Sequence, residues 1–185
     1  MSLKSFIRSK LMRLRSEIST EDLIKLGLTV GKNFSRQEKT LIDQSHCWLI
    51  NIGDDVTLAP RVHILAHDAS TKKALGYTRI GLVDIGNNVF VGASTTILPG
   101  VKIGDNVVIG AGSVVSKDIP SGSVAAGNPA KVICNYEEFV ERKKKELENT
   151  PSFKEEYTLR NPQFTNEMKK EMKDALLKGR IGYVE

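Results

Sequence analysis

The sequence is poor in the residues that mark several common classes of protein. It has only two cysteines, Cys47 and Cys134, without metal-binding spacing or a disulfide pattern, so we interpret both as free thiols in a reducing compartment. No run approaches the roughly 18 apolar residues of a membrane span, and the N-terminus lacks an apolar signal core. Aromatic residues make up 6% of the chain and are not interleaved with a basic tract. These absences predict a cytoplasmic protein that does not bind nucleic acid.

The charge of the chain is mildly positive. Its 27 basic and 22 acidic residues leave a formal charge of +5, and its 185 residues allow one domain with a sizeable core. A surplus of this size does not demand a polyanionic partner, but it suits a small anionic ligand.

Aliphatic residues recur every six positions along much of the chain. A period of six fits neither an α-helix, at 3.6, nor a simple strand, at 2. It indicates short strands joined by tight bends, with the recurring residues stacked about 4.8 Å apart inside a coil. Because no single repeat can bury its own apolar face, only the stack is stable. The recurring residues are Ile52, Leu58, Ile64, Ile85, Val91, Ile97, Ile103, Ile109 and Val115.

The blocks between residues 62 and 133 carry a family resemblance. They include AHDAS, IGNNVFVGASTTILPGVKIGDNVVIGAGSVVSKDIP and AAGNPAKVI. This stretch resembles the hexapeptide-repeat acyltransferases, in the branch of the maltose, galactoside and capsule-sugar O-acetyltransferases. The resemblance implies an all-β core that forms a left-handed parallel β-helix. It also implies a homotrimer that uses acetyl-CoA as co-substrate and requires no metal.

Three segments follow from these patterns. Residues 1–29 are predicted to be an N-terminal helical segment, 30–134 the β-helix and 135–185 a C-terminal helical extension. The basic, amphipathic N-terminal helix is expected to pack over the coil or on a neighbouring subunit; the alternative is peripheral contact with a membrane surface. The stretch LIDQSHCWLI, residues 41–50, is interpreted as strand-like and buried. Ile64 and Ile85 lie 21 residues apart, which is not a multiple of six, so a loop at 70–82 is predicted to protrude from the coil.

His67 is the candidate catalytic residue. Acetyl transfer to a hydroxyl requires a general base, and neutral imidazole suits that role near pH 7. In the resembled family the base is a histidine shortly after an aliphatic repeat position, and His67 in LAHD occupies that place; the alternative is a histidine packed at a corner. Asp68 either closes the corner by an Asx-type hydrogen bond or binds substrate. Tyr77, in the protruding loop, is a further candidate for substrate binding.

The resemblance also carries over a set of coenzyme A contacts. In the family the coenzyme lies in a groove between subunits, held by backbone groups of successive coils. The matching positions are Ala93, Ala111, Ser116, Lys117 and Lys131, with the two lysines expected near the phosphates. The alternatives are tight packing for the alanines and solvated surface charge for the lysines.

Three functions are compatible with the sequence. The leading prediction is an O-acetyltransferase that moves acetyl from acetyl-CoA to a hydroxyl of a sugar or surface-polysaccharide precursor. The second is a metal-dependent lyase similar to the trimeric carbonic anhydrases, with His46, His63 and His67 as ligands, although their spacing departs from that family. The third is a β-helix that serves only as a scaffold.

Overall fold

The computed structural model describes residues 18–185, so most of the predicted N-terminal helix lies outside the described residues. The α-helices are α1 Thr20–Lys25, α2 Lys72–Leu75, α3 Tyr136–Glu148 and α4 Asn166–Leu176, and short 3-10 turns occupy Cys47–Leu49 and Glu155–Tyr157. The strands are β1 Thr29–Val30, β2 Ser35–Arg36, β3 Leu41–Ile42, β4 Ile50–Ile52, β5 Thr57–Leu58, β6 His63–Ile64, β7 His67–Asp68, β8 Arg79–Ile80, β9 Val83–Ile85, β10 Val89–Val91, β11 Thr96–Ile97, β12 Lys102–Ile103, β13 Val107–Ile109, β14 Val114–Val115, β15 Ser123–Ala126, β16 Lys131–Asn135, β17 Ser152–Phe153 and β18 Tyr183–Val184.

Most of these strands form three sheets, parallel except for β16, that the chain visits in rotation. Sheet A contains β1, β4, β9 and β12; sheet B contains β2, β5, β10, β13, β15 and β16; sheet C contains β3, β6, β11 and β14. Each turn of the chain through A, B and C is one coil. In the regular part of the stack Ile85 pairs with Ile103, a separation of 18 residues, so three six-residue blocks complete one coil.

The recurring aliphatic residues fill the interior of the coils. Ile64, Val91, Ile97 and Ile109 are fully buried, and each contributes about 1.5–3 kcal/mol relative to an exposed side chain. The buried hydroxyl of Ser113 donates to the carbonyl of Gly110 over 2.6 Å, so it leaves no unsatisfied group inside. The six-residue rhythm therefore reflects stacking in the core.

The corner between sheets A and B requires particular residues. Asn88 and Asn106 have φ values of 53° and 55°, a left-handed conformation that asparagine tolerates better than most residues. Their side chains hydrogen bond to each other, from Nδ2 to Oδ1, over 2.7 Å. A Cβ on Gly86 would lie 2.8 Å from a backbone carbon of Gly104 one coil on, so this position has no room for a side chain.

The stack ends after β15. This strand pairs in parallel with β13 and antiparallel with β16, which turns back along it. Residues 137–185 form a second unit, with a parallel pair of β17 and β18 and the helix α4. The hydroxyl of Thr165 caps α4 by accepting from the N–H of Met168, and the Tyr183 hydroxyl donates to Glu146 over 2.9 Å. None of the helices in residues 18–185 combines the length and apolarity that crossing a membrane requires.

The prediction for residues 41–50 was partly wrong. Strand β3 ends at Ile42 and β4 begins at Ile50, with a turn between them. Cys47 is fully buried in this turn, but Trp48 is 55% exposed. Two apolar segments joined by a polar turn had the appearance of one continuous strand.

Candidate active site

Two insertions lie on the same edge of the coil, where the chain passes from sheet C to sheet A. The first insertion, residues 43–49, joins β3 to β4, and the second, residues 65–82, joins β6 to β9. We call this edge the insertion edge. Ile42 pairs with Ile64, so the two insertions begin on adjacent coils, one above the other. In the coil that follows, only four residues separate β11 from β12.

The second insertion forms a small antiparallel hairpin outside the coils. His67 pairs with Ile80 and Asp68 with Arg79, and the hairpin carries α2 at its end. Arg79 donates from Nη2 to the carbonyl of Pro99 over 3.4 Å, which ties the hairpin to the next corner. Leu65 still donates its N–H to the carbonyl of Ile97 in the coil, and Ala66 is buried in the core. The chain leaves the coil at His67, so the excursion begins earlier than the predicted 70–82 loop and includes His67 itself.

His67 is bound to a buried carboxylate from the first insertion. The Oδ2 atom of Asp43 contacts Nδ1 of His67 and also accepts from the backbone N–H of Ala66 over 3.0 Å. Its Oδ1 atom accepts from the N–H of Ser45 over 3.0 Å. The side chain of Asp43 is 2% exposed and that of His67 is 35% exposed. The first insertion thus anchors the imidazole without closing it off from solvent.

The charge of Asp43 determines which nitrogen of His67 carries the proton. Burial raises the pKa of Asp43, but the hydrogen bonds from His67, Ala66 and Ser45 together outweigh it and hold the pKa below its usual range. Asp43 is therefore ionised at neutral pH and can only accept hydrogen bonds. The Nδ1–H of His67 donates to it, so the neutral form of the imidazole has its free lone pair on Nε2, which is the arrangement a general base needs.

Two further rings extend the site along the first insertion. The ring centroid of His46 lies 5.1 Å from that of His67 and 5.3 Å from that of Trp48. In residues 18–185, Nδ1 of His46 is the one buried side-chain nitrogen or oxygen that lacks a hydrogen-bond partner. The three rings form one aromatic surface, which we call the ring surface.

The three-histidine metal set predicted for the lyase alternative was wrong in its membership. His63 is exposed on β6 and pairs across sheet C with Leu41 and Thr96. The group that can hold a metal ion within the described residues consists of Asp43, His46 and His67, whose donor atoms lie within 4.8 Å of one another. Nitrogen and oxygen donors of this kind suit Zn²⁺, but the ion would compete with the Asp43–His67 hydrogen bond.

The candidate substrate residues lie in the second insertion. Oδ1 of Asp68 accepts from the N–H of Ser70 over 2.8 Å, so Asp68 forms the Asx-type turn, one of its two predicted roles. Hydrogen bonding to Ser70 lowers the pKa of Asp68, and the nearby charge of Arg79 lowers it by a smaller amount. Tyr77 is 80% exposed, and its backbone carbonyl accepts from the Thr71 hydroxyl. A substrate contact by Asp68 or Tyr77 stays a prediction.

The predicted coenzyme A residues divide between two edges of the coil. Ala93 and Ala111 lie on successive coils where sheet B passes to sheet C, and the carbonyl of Ala93 accepts from Gly112 over 2.8 Å. Lys131 is exposed at the start of β16. Ser116 and Lys117 are exposed and follow β14, on the insertion edge that also carries His67. Their contact with the coenzyme stays a prediction.

Comparison with known proteins agrees with this architecture. Residues 83–117 match the family described as bacterial transferase hexapeptide (six repeats). The chain is 38% identical over 149 residues to a putative acetyltransferase, YvoF, from Bacillus subtilis (strain 168), covering 79% of this chain and 84% of that protein.

Two solved structures extend the comparison. A maltose O-acetyltransferase from Clostridium difficile 630 superposes with a TM-score of 0.52 and 36% identity, covering 68% of this chain and 82% of that one. A galactoside acetyltransferase in complex with coenzyme A gives a TM-score of 0.52 and 34% identity, covering 65% and 72%. The chain belongs to the hexapeptide-repeat transferases, and it is an acetyltransferase.

Proposed function

We propose that this acetyltransferase moves acetyl from acetyl-CoA to a hydroxyl of a sugar or surface-polysaccharide precursor, with His67 as general base. The observation that carries the proposal is the pairing of His67 with the buried carboxylate of Asp43 at an open edge of the coil. The two solved structures support a sugar acceptor, because one is named a maltose O-acetyltransferase and the other a galactoside acetyltransferase.

The chemistry follows from the protonation of His67. Its Nε2 takes the proton of the acceptor hydroxyl as that oxygen attacks the carbonyl carbon of the thioester. A backbone N–H near Ala93 stabilises the oxyanion that forms. When the intermediate collapses, the carbon–sulfur bond breaks and the imidazolium returns its proton to the departing thiolate. Asp43 stabilises the imidazolium between these steps, because its negative charge is held next to Nδ1.

A homotrimer of left-handed β-helices completes the proposal. His67 lies on the insertion edge, whereas Ala93 and Ala111 lie on the edge between sheets B and C. One side of a coil, six residues at about 3.3 Å each, separates the two edges by on the order of 15–20 Å. One cleft cannot use both edges of the same chain, but the edges of two neighbouring copies can meet. Acetyl-CoA would lie in that cleft, with Lys117 and Lys131 near its phosphates.

The test is release of coenzyme A thiol from acetyl-CoA in the presence of a panel of sugars. His67→Ala should lower kcat/KM by about 10²- to 10⁴-fold, the usual contribution of a general base. His63→Ala is the matched control, because it removes an exposed imidazole from the same part of the coil and should keep full activity. Undiminished transfer by His67→Ala would reject the assignment of the base.

The product distinguishes a hydroxyl from an amine as the acceptor. An acetyl ester is cleaved by hydroxylamine under mild conditions, whereas an acetamide is stable. If the acetyl group stays on the product after this treatment, the acceptor is an amine and the assignment as an O-acetyltransferase is rejected. Absence of both transfer and acetyl-CoA binding would favour a scaffold.

A further inference from the structure

Trp48 is held in an exposed position although it is a large aromatic residue. It is the chain's single tryptophan, and the residue is 55% exposed. It lies in the 3-10 turn Cys47–Leu49, between the fully buried residues Cys47 and Ile50. The Cys47 thiol also contacts the carbonyls of Leu23 and Leu26, at 3.7 and 3.5 Å. These anchors fix the turn, so the indole is presented outward from a rigid base.

The indole belongs to the same surface as the catalytic imidazole. The ring of His46 lies between them, tilted by 44° against Trp48 and by 41° against His67. The two centroid distances of 5.3 and 5.1 Å limit the separation of Trp48 and His67 to at most about 10 Å. A molecule whose hydroxyl reaches Nε2 of His67 therefore has Trp48 within reach of its next ring or substituent.

We propose that the rings of His46 and Trp48, the part of the ring surface beside His67, form the acceptor-binding site and take the apolar C–H face of a pyranose ring. This inference rests on the proposed function and deepens it. A pyranose has two chemical features that fit the two parts of the site: a C–H face that packs against an aromatic ring, and equatorial hydroxyls that point outward from the edge of the ring. Burial of the C–H face on Trp48 leaves a hydroxyl at the edge for His67.

The proposal predicts that loss of the Trp48 ring raises KM for the sugar and leaves kcat unchanged. The sugar packs against Trp48 equally well in the ground state and in the transition state, so loss of the ring weakens binding and not the chemical step. Trp48→Leu should raise KM for the sugar by about 2- to 12-fold, the range given by aromatic contacts of 0.5–1.5 kcal/mol. The value of kcat/KM should fall by the same factor, and KM for acetyl-CoA should not change. Trp48→Phe should restore much of the loss.

Because Trp48 is the only tryptophan, its emission reports directly on the site. The full chain is titrated with methyl β-galactoside, methyl β-glucoside and N-acetylglucosamine, with coenzyme A present. A saturable shift of the emission to shorter wavelength is expected for at least one of them, since the sugar displaces water from the indole. The same titration with His67→Ala should still respond, because that variant lacks the base but keeps the rings of His46 and Trp48.

The outcomes separate this inference from the proposed function. If emission responds to a sugar but no acetyl is transferred to it, the binding site stands and the proposed O-acetyl transfer to a sugar fails. If sugar is acetylated but Trp48→Leu leaves its KM unchanged, or if none of the three sugars alters the emission, the binding site is rejected. If Trp48→Leu changes the oligomeric state while KM for sugar stays the same, the surface is a subunit contact, which also overturns the proposal.

Discussion

The Asp43–His67 pair permits a quantitative prediction for Asp43→Asn. Asparagine keeps the shape of the side chain but removes the charge that stabilises the imidazolium. A hydrogen bond to a charged group contributes about 1.5–3 kcal/mol. At about 1.36 kcal/mol for each factor of ten in rate, kcat/KM should fall roughly 10- to 150-fold. The amide can also present an N–H to Nδ1, which favours the tautomer with Nε2 protonated and lowers activity further.

The assay is thiol release at saturating acetyl-CoA, measured with thermal unfolding of the same samples. Asp174→Asn is the control, because it removes one carboxylate from an exposed position on α4. It should retain full activity. If Asp43→Asn stays within twofold of the parent enzyme while correctly folded, Asp43 does not orient or stabilise His67, and the proposed role of the pair is wrong.

Asp43 also gives a prediction for acid stability. Its pKa is lowered in the folded protein from an ordinary value of 3.8, so its contribution to stability is present above that pH. The contribution is lost as pH falls from there through the lowered folded value. Asp43→Asn should therefore flatten the decline of stability below about pH 4, measured by urea unfolding at several pH values. An unchanged acid profile would contradict the lowered pKa.

Three further predictions concern other parts of the molecule. Gly86→Ala should lower the melting temperature by several degrees, because the new Cβ meets the backbone of the next coil. Gly179→Ala is the control and should change the melting temperature little, since its Cβ would have only one atom near 4.0 Å. Equal melting temperatures for the two variants would contradict the stacking. Burial raises the pKa of the Cys47 thiol, so a thiol reagent should label Cys134 first and Cys47 only on unfolding; rapid labelling of both would show that the turn opens. Zn²⁺ should inhibit by binding the clustered donors of the site, and His46→Ala should weaken that inhibition; inhibition that is unaffected would place the metal elsewhere.

The core of the fold was predictable from the sequence because one chemical requirement repeats there. Each inward position must be small enough and apolar enough to stack on its neighbours. The pairings of Val91 with Ile109 and of Ile97 with Val115 confirm the register that the six-residue rhythm indicates. This inference needs no knowledge of contacts between residues far apart in sequence, because the spacing of the repeat alone predicts which residues stack.

The partner of His67 could not be found in the same way. Val30 pairs with Ile52, which lies 22 residues later, so the first insertion adds four residues to the regular 18. Counting by sixes across this insertion misplaces every residue within it. Asp43 directly follows two apolar residues, Leu41 and Ile42, and a carboxylate in that position was the one feature of the sequence that pointed to a buried acid. It indicates a buried acid but not what the acid binds.

The position of the candidate site in the fold follows from the packing requirement of the repeat. In a regular coil the inward positions are committed to packing, and the left-handed positions between sheets A and B hold asparagine, aspartate or glycine. A buried carboxylate, an imidazole and an indole can be brought together only where the chain departs from the repeat. In this chain both longer departures lie on one edge, on adjacent coils, so residues far apart in sequence meet there. Departures from the six-residue spacing, rather than the repeats themselves, therefore locate the site.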